Sequence, residues 1–169
     1  MSQGHRPDGK LGLAMRELHR SEKSLAGDLL RVADRHRVEH EIYHVGRDLA
    51  RWSQEHVREL SEEGRRYGLR LGTEHKDYAG ILLSSVQQRV SHLSGRRPEP
   101  DLLLLADLRR LHRKAAGASL DWELLGQGAQ AVKDTELLAL TKRAHPQTLR
   151  QLRWTNAMLK MVSPQVLAS

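Results

Sequence analysis

The chain has 169 residues, with 28 Lys+Arg against 21 Asp+Glu for a formal net charge of +7, and it contains neither cysteine nor phenylalanine. The missing cysteines exclude disulfide frameworks, thiolate metal sites and thiol nucleophiles, and a reducing, cytoplasmic setting is expected. The length suits one domain with a sizeable core, and no apolar run reaches the roughly 18 residues that a membrane helix needs.

Leucine dominates the apolar content, with 29 Leu against 9 Val and 2 Ile, and the only aromatics are three Trp and three Tyr. Leu, Ala, Arg, Glu and Lys favour helices, whereas strands favour β-branched and aromatic residues. The expected fold class is therefore all-α.

In chain order, residues 1–9 read as a flexible polar leader without the apolar stretch of a secretory signal. A seam with alternating steps of four and three then runs through Leu11, Met15, Leu18, Glu22, Leu25, Leu29, Val32 and His36, which marks one packed helix face. After His36 the phase slips. A new seam runs through Ile42, Val45, Leu49, Trp52, His56 and Leu60, so a tight turn is expected over 37–41. Gly68 and Gly72 stop the second helix. Asp77 caps a shorter helix to about Leu93, with Leu82, Val86, Val90 and Leu93 on one face,. Residues 94–100 form a connection, and Asp101 is expected to cap a long helix whose seam is Leu104, Leu108, Leu111, Ala115, Ala118, Trp122, Leu125, Ala129 and Val132. Lys133-Asp134-Thr135 breaks it. A last helix covers about Glu136 to Val162, interrupted or kinked at Pro146. Residues 10–163 thus make a single helical domain, and 164–169 a short tail.

Ionisable residues interrupt these apolar seams, Glu22 on the first and His56 on the second most clearly, and such a side chain on a packing seam is costly unless it is paired. With a turn near 39, residues of an antiparallel hairpin whose numbers sum to about 78 share a level; Glu22/His56 and His19/Glu59 both qualify, each helix offering its two residues three apart. Two carboxylates and two imidazoles at one level suit Zn²⁺ or Fe²⁺. The other account is a buried Glu–His pair that fixes helix register. A second, weaker set surrounds the first turn, with His40 and His44 one turn apart and Glu41 beside them. His145 has two readings as well, level with Glu123 across the second hairpin or capping a helix that restarts at Pro146.

Arg65-Arg66, Arg96-Arg97 and Arg109-Arg110-x-x-Arg113-Lys114 are the densest basic positions. Acids are interleaved along the chain and aromatics are few, so nucleic acid is not expected as a partner; a homodimer or a protein partner is, without membrane association. Signatures of catalysis are missing: no Gly-rich loop follows a strand, and no serine has a nucleophile-elbow context. An enzyme is not the expectation.

Four long helices paired as two hairpins, with a central crossover long enough to hold its own helix, describe an up-down-down-up four-helix bundle. That order, with Glu22 in Leu18-His19-Arg20-Ser21-Glu22-Lys23-Ser24-Leu25, resembles the ferritin-like superfamily, and in particular its bacterial stress-associated members. The resemblance implies a two-metal site built from one Glu on each of two helices and a Glu-x-x-His on each of the other two. Here Glu41-Ile42-Tyr43-His44 is the one Glu-x-x-His, and Lys142 stands where a second would have its Glu. A partial or degenerate iron or zinc site is what the resemblance implies, with a role in metal handling or stress. The alternative is a metal-free helical module acting through a protein partner or self-association.

Overall fold

Segments rich in leucine, with charges on the opposite side of each turn, bury a stripe only by packing against one another. The computed structural model describes residues 9–73 and 99–169. Helix makes up 88% of them, and no strand occurs among the described residues. The helices are α1 (Lys10–Arg35), α2 (His40–Gly64), α3 (Pro100–Ala131) and α4 (Thr135–Leu167), and a 3-10 turn, Arg65–Tyr67, follows α2. The helix expected over 77–93 and the connection through Arg96, Arg97 and Pro98 lie outside the described residues, as does the leader through residue 8.

The first turn falls where the phase slip puts it, between Arg35 and His40, closed by the Glu39 N–H donating to the His36 carbonyl at 3.0 Å. Gly68 ends the 3-10 turn at φ 69°, a left-handed conformation natural to glycine. At the second turn Lys133 takes that role at φ 59°. Its N–H bonds Gln130 O and that of Asp134 bonds Ala129 O, the paired closure of a Schellman motif. Asp134 then caps α4 by accepting from the Leu137 N–H at 3.0 Å.

Three boundaries differ from expectation. Helix α3 starts at Pro100, with Glu99 as its N-cap in place of Asp101; proline suits the first helical position because its absent N–H would be unpaired there anyway. Helix α4 runs unbroken through Pro146 and on through Pro164 to Leu167, so the expected interruption and the tail from 164 are both superseded. The carbonyl that Pro146 leaves without its N–H belongs to Lys142, which is exposed, and water can take that bond.

Contacts fix the helix directions. Helix α1 meets α3 antiparallel, since Ser21 bonds Asp121 while Arg35 bonds Asp107. Helix α2 meets α4 antiparallel, since Glu59 pairs with Arg143 and Gln151 bonds Ser53. With antiparallel hairpins as well, α1 and α4 run one way and α2 and α3 the other. Gly46 lets α1 and α2 approach: a Cβ there would lie 3.3 Å from the Ala33 Cβ. The apolar core falls into two clusters. One is built on Leu25, Leu29, Leu49, Leu108 and Leu111; the other on Met15, Leu18, Leu60, Trp122 and Leu137.

Candidate functional site

At the level of Glu22 and His56 the core turns polar, and all four helices contribute. Glu22 of α1 is 0% exposed and His56 of α2 is 1% exposed. Glu22 Oε1 accepts from His56 Nδ1 at 3.0 Å, from the Trp122 indole Nε1 of α3 at 2.6 Å and from the Thr148 hydroxyl of α4 at 3.2 Å. His56 Nε2 donates to the Gln147 amide oxygen at 2.8 Å. Both ring nitrogens thus face acceptor oxygens, an arrangement that favours the imidazolium form. The His56 ring also meets the Trp122 ring edge-on, with centroids 5.4 Å apart. Deeper along the same layer, Gln151 Nε2 donates to the Ser53 hydroxyl and to the Leu49 carbonyl, both at 2.9 Å.

The electrostatics follow from this geometry. Burial alone would raise the Glu22 pKa, but the charge and hydrogen bond of His56, with help from Ser53 and Trp122, hold it below the usual carboxylate value. Burial alone would lower that of His56, but the charge and hydrogen bond of Glu22, then Gln147, raise it. The layer is a buried ion pair. Glu22 Oε2 is enclosed without a well-formed hydrogen bond.

The other two residues expected at this level have different partners. His19 Nε2 donates to the Gly72 carbonyl at 3.0 Å, beside the Ser61 hydroxyl, and burial lowers its pKa, so it is neutral with that nitrogen protonated. Glu59 pairs with Arg143 at 2.8 Å. In the second set, the His40 and His44 ring centroids lie 5.3 Å apart with the rings tilted by 41°, and Glu41 is exposed. Among the described residues, no three His, Asp or Glu side chains converge as ligands for a metal ion.

Sequence reasoning placed Trp122 on a seam but missed its role as a donor, and it missed Ser53, Thr148 and Gln151 entirely. A signal existed. Ser53/His56 and Thr148/Gln151 are two polar pairs spaced three apart on packing faces, a spacing that puts both members of each pair on one side of a helix.

A second buried polar cluster, also not anticipated, ties α1 to α3. Asp107 is 0% exposed and accepts from Arg35 at 2.9 Å, from His36 Nε2 at 2.8 Å and from Arg110 at 2.8 Å. Asp28, 1% exposed, takes Lys114 at 2.8 Å, Arg110 at 3.1 Å and Arg31. Burial works to raise both carboxyls, and the surrounding cations and hydrogen bonds keep both below their usual value.

His145 does not cap a restarted helix. Its Nε2 lies 2.9 Å from the Ser119 hydroxyl and its Nδ1 3.7 Å from Glu123, the level read from the sequence. These three types can make a nucleophilic triad. Ser119, however, sits mid-way along α3, whose backbone N–H groups are committed to the helix and so supply no oxyanion hole.

No family model matches the chain, and neither the curated proteins nor the solved structures contain a match to it.

Proposed function

We propose that the chain is a ferritin-like helical scaffold whose metal-centre level is closed by a hydrogen-bonded ion pair, and that it works by binding a partner rather than by turnover. The observation that carries this reading is the composition of the polar layer. A two-metal centre in a bundle of this kind draws one Glu from each of two helices and a Glu-x-x-His from each of the other two. At one level this chain has Glu22 on α1, Ser53-x-x-His56 on α2, Trp122 on α3 and Thr148-x-x-Gln151 on α4, joined by the bonds described above. One carboxylate and one imidazole survive from a six-ligand pattern. The helix order, with α1 and α4 opposed to α2 and α3, supports the same assignment. The donor set does not fit two metal ions, because Trp122 and the hydroxyls offer no anionic ligands and Glu22 already holds three hydrogen bonds.

A second reading is one Fe²⁺ or Zn²⁺ ion held through Glu22 and His56. The buried, unbonded Glu22 Oε2 favours it. Elemental analysis of protein purified without a tag, combined with thermal melts in the presence of each metal, separates the two. The scaffold reading expects substoichiometric metal and unchanged melting. Stoichiometric iron or zinc that vanishes in Glu22→Ala would overturn it in favour of the single-ion site.

A further inference from the structure

Ion pairing divides the molecule unevenly. Residues 10–64 hold ten Lys+Arg and eleven Asp+Glu. On α1, α2 and the turns after them, arginine after arginine is paired to an acid three residues earlier, as in Arg20–Glu17, Arg37–Asp34, Arg51–Asp48, Arg58–Glu55 and Arg66–Glu63. Residues 137–169 hold five Lys+Arg and no Asp or Glu. On α3, the single carboxylate between Asp101 and Asp121 is Asp107, which is buried against α1. The interleaving of acids that argues against nucleic acid for the chain as a whole is thus densest on α1 and α2 and ends at Glu136.

Five exposed cations stand in the acid-free zone without an ion pair among the described residues: Arg109 and Arg113 on α3, and Arg150, Arg153 and Lys160 on α4. Helical spacing puts Arg109 and Arg113 one turn apart on the side of α3 away from its buried seam, and Arg153 and Lys160 two turns apart on the corresponding side of α4. The bond between His112 and Thr155, 3.1 Å long, sets the register, so Arg113 and Arg153 stand at about the same height on neighbouring antiparallel helices. The result is two adjacent rows of positive charge on one rigid face. Lys142 extends the α4 row to a length of about 27 Å at the helical rise, and at that far end it lines the same cavity as Glu123.

We infer that this α3–α4 face docks on the phosphodiester backbone of a double-stranded nucleic acid, without reading its sequence. The inference rests on the scaffold reading above and names the partner. A duplex carries one charge per roughly 1.7 Å of axis, a density that rewards unpaired cations on a rigid, extended face. Four of the five cations are arginine, whose planar fork matches phosphate oxygens. A single strand is disfavoured, since its binding adds aromatic platforms for the bases, and the exposed neighbours of these cations are residues such as Leu120, Asn156 and Ala157.

The test is fluorescence anisotropy of the full chain with labelled duplex DNA, duplex RNA and the matching single strands, of about 20 nucleotides per strand, over a salt series. We expect duplex binding that weakens with salt at a log–log slope of about −3.5, as the four cations of the two rows require. Arg113→Glu with Arg153→Glu should weaken it at least about tenfold. Arg16→Glu with Arg47→Glu, an equal change in net charge on α1 and α2, should leave it nearly unchanged. Circular dichroism checks that both variants fold. Equal losses in the two variants would reduce the effect to diffuse net charge and overturn the proposal, as would single strands bound more tightly than duplexes. Tighter binding of a polyglutamate probe would transfer the face to an acidic protein partner. A failure on any of these counts leaves the metal measurements unaffected, so the two readings fall separately.

Discussion

Glu22 concentrates the energetics of the bundle interior in one side chain, because its carboxylate is the acceptor for three helices at once. Glu22→Ala leaves the His56 imidazolium, the Trp122 indole and the Thr148 hydroxyl without their acceptor, and chemical denaturation should register a loss of about 1–3 kcal/mol or more. The paired change Glu22→Leu with His56→Leu removes the charge and its partner together and is expected to be near neutral or stabilising. The pair also sets a pH window. The Glu22 pKa is depressed below 4.5 in the folded state, so its contribution is complete above that value and is lost as pH falls through the folded pKa,. That of His56 is raised above 6.5, so its contribution is complete below that value and is lost as pH rises through the folded pKa,. Stability from this pair therefore peaks between the two ordinary values. Melting temperatures across pH should show that maximum in the native chain and lose it in the double-leucine variant.

At the scale of elements, the α3–α4 turn is where local chemistry leaves stability unused. Lys133 occupies the left-handed position that closes the Schellman motif. A side chain there costs roughly 1–2 kcal/mol, of which glycine recovers part after its greater unfolded-state entropy. Lys133→Gly should stabilise by about 0.5–1 kcal/mol in equilibrium unfolding. The next residue points the other way. Asp134 caps α4 and also accepts from the Tyr67 hydroxyl and from Arg66, tying the end of α2 to this turn. Asp134→Ala should cost about 1–2 kcal/mol. The same elements mark what was legible in the sequence. Leucine spacing and the phase slip after His36 gave the helices and the first turn, and the level of Glu22 with His56 followed from hairpin arithmetic, since a short turn fixes register within a hairpin. Register between hairpins has no such anchor. Trp122 was on the third long helix's seam, but nothing in the sequence set it at the level of Glu22, which it meets in the fold. Asp107 escaped notice for a related reason: it flanks the Leu104–Leu108 seam on the side facing α1, and its burial depends on Arg35 and His36, which only the folded register brings to it. The continuity of α4 through Pro146 was hidden because a proline pattern does not say which way the orphaned carbonyl faces.

Across the whole molecule, the charge distribution opposes folding on one side. Arg109, Arg113, Arg150, Arg153 and Lys160 have no ion pair among the described residues, and their mutual repulsion is relieved when the chain unfolds and the two helices separate,. Ordinary surface ion pairs weaken with salt, because screening removes an attraction. On this face screening removes a repulsion instead, so moderate salt should raise the melting temperature of the native chain. The α1–α2 pairs work in the opposite sense, but they are exposed and individually weak,. Arg153→Glu isolates the effect. It places an acid at the height of Arg113 and beside Arg150, turning three like charges into an alternating set. Its melting temperature at low salt should exceed that of the native chain, and the difference should shrink as salt is added. Arg51→Glu, which breaks the pair with Asp48 on α2, should lower the melting temperature under the same conditions. If both substitutions lowered it equally, the five cations would contribute no net repulsion to the folded state.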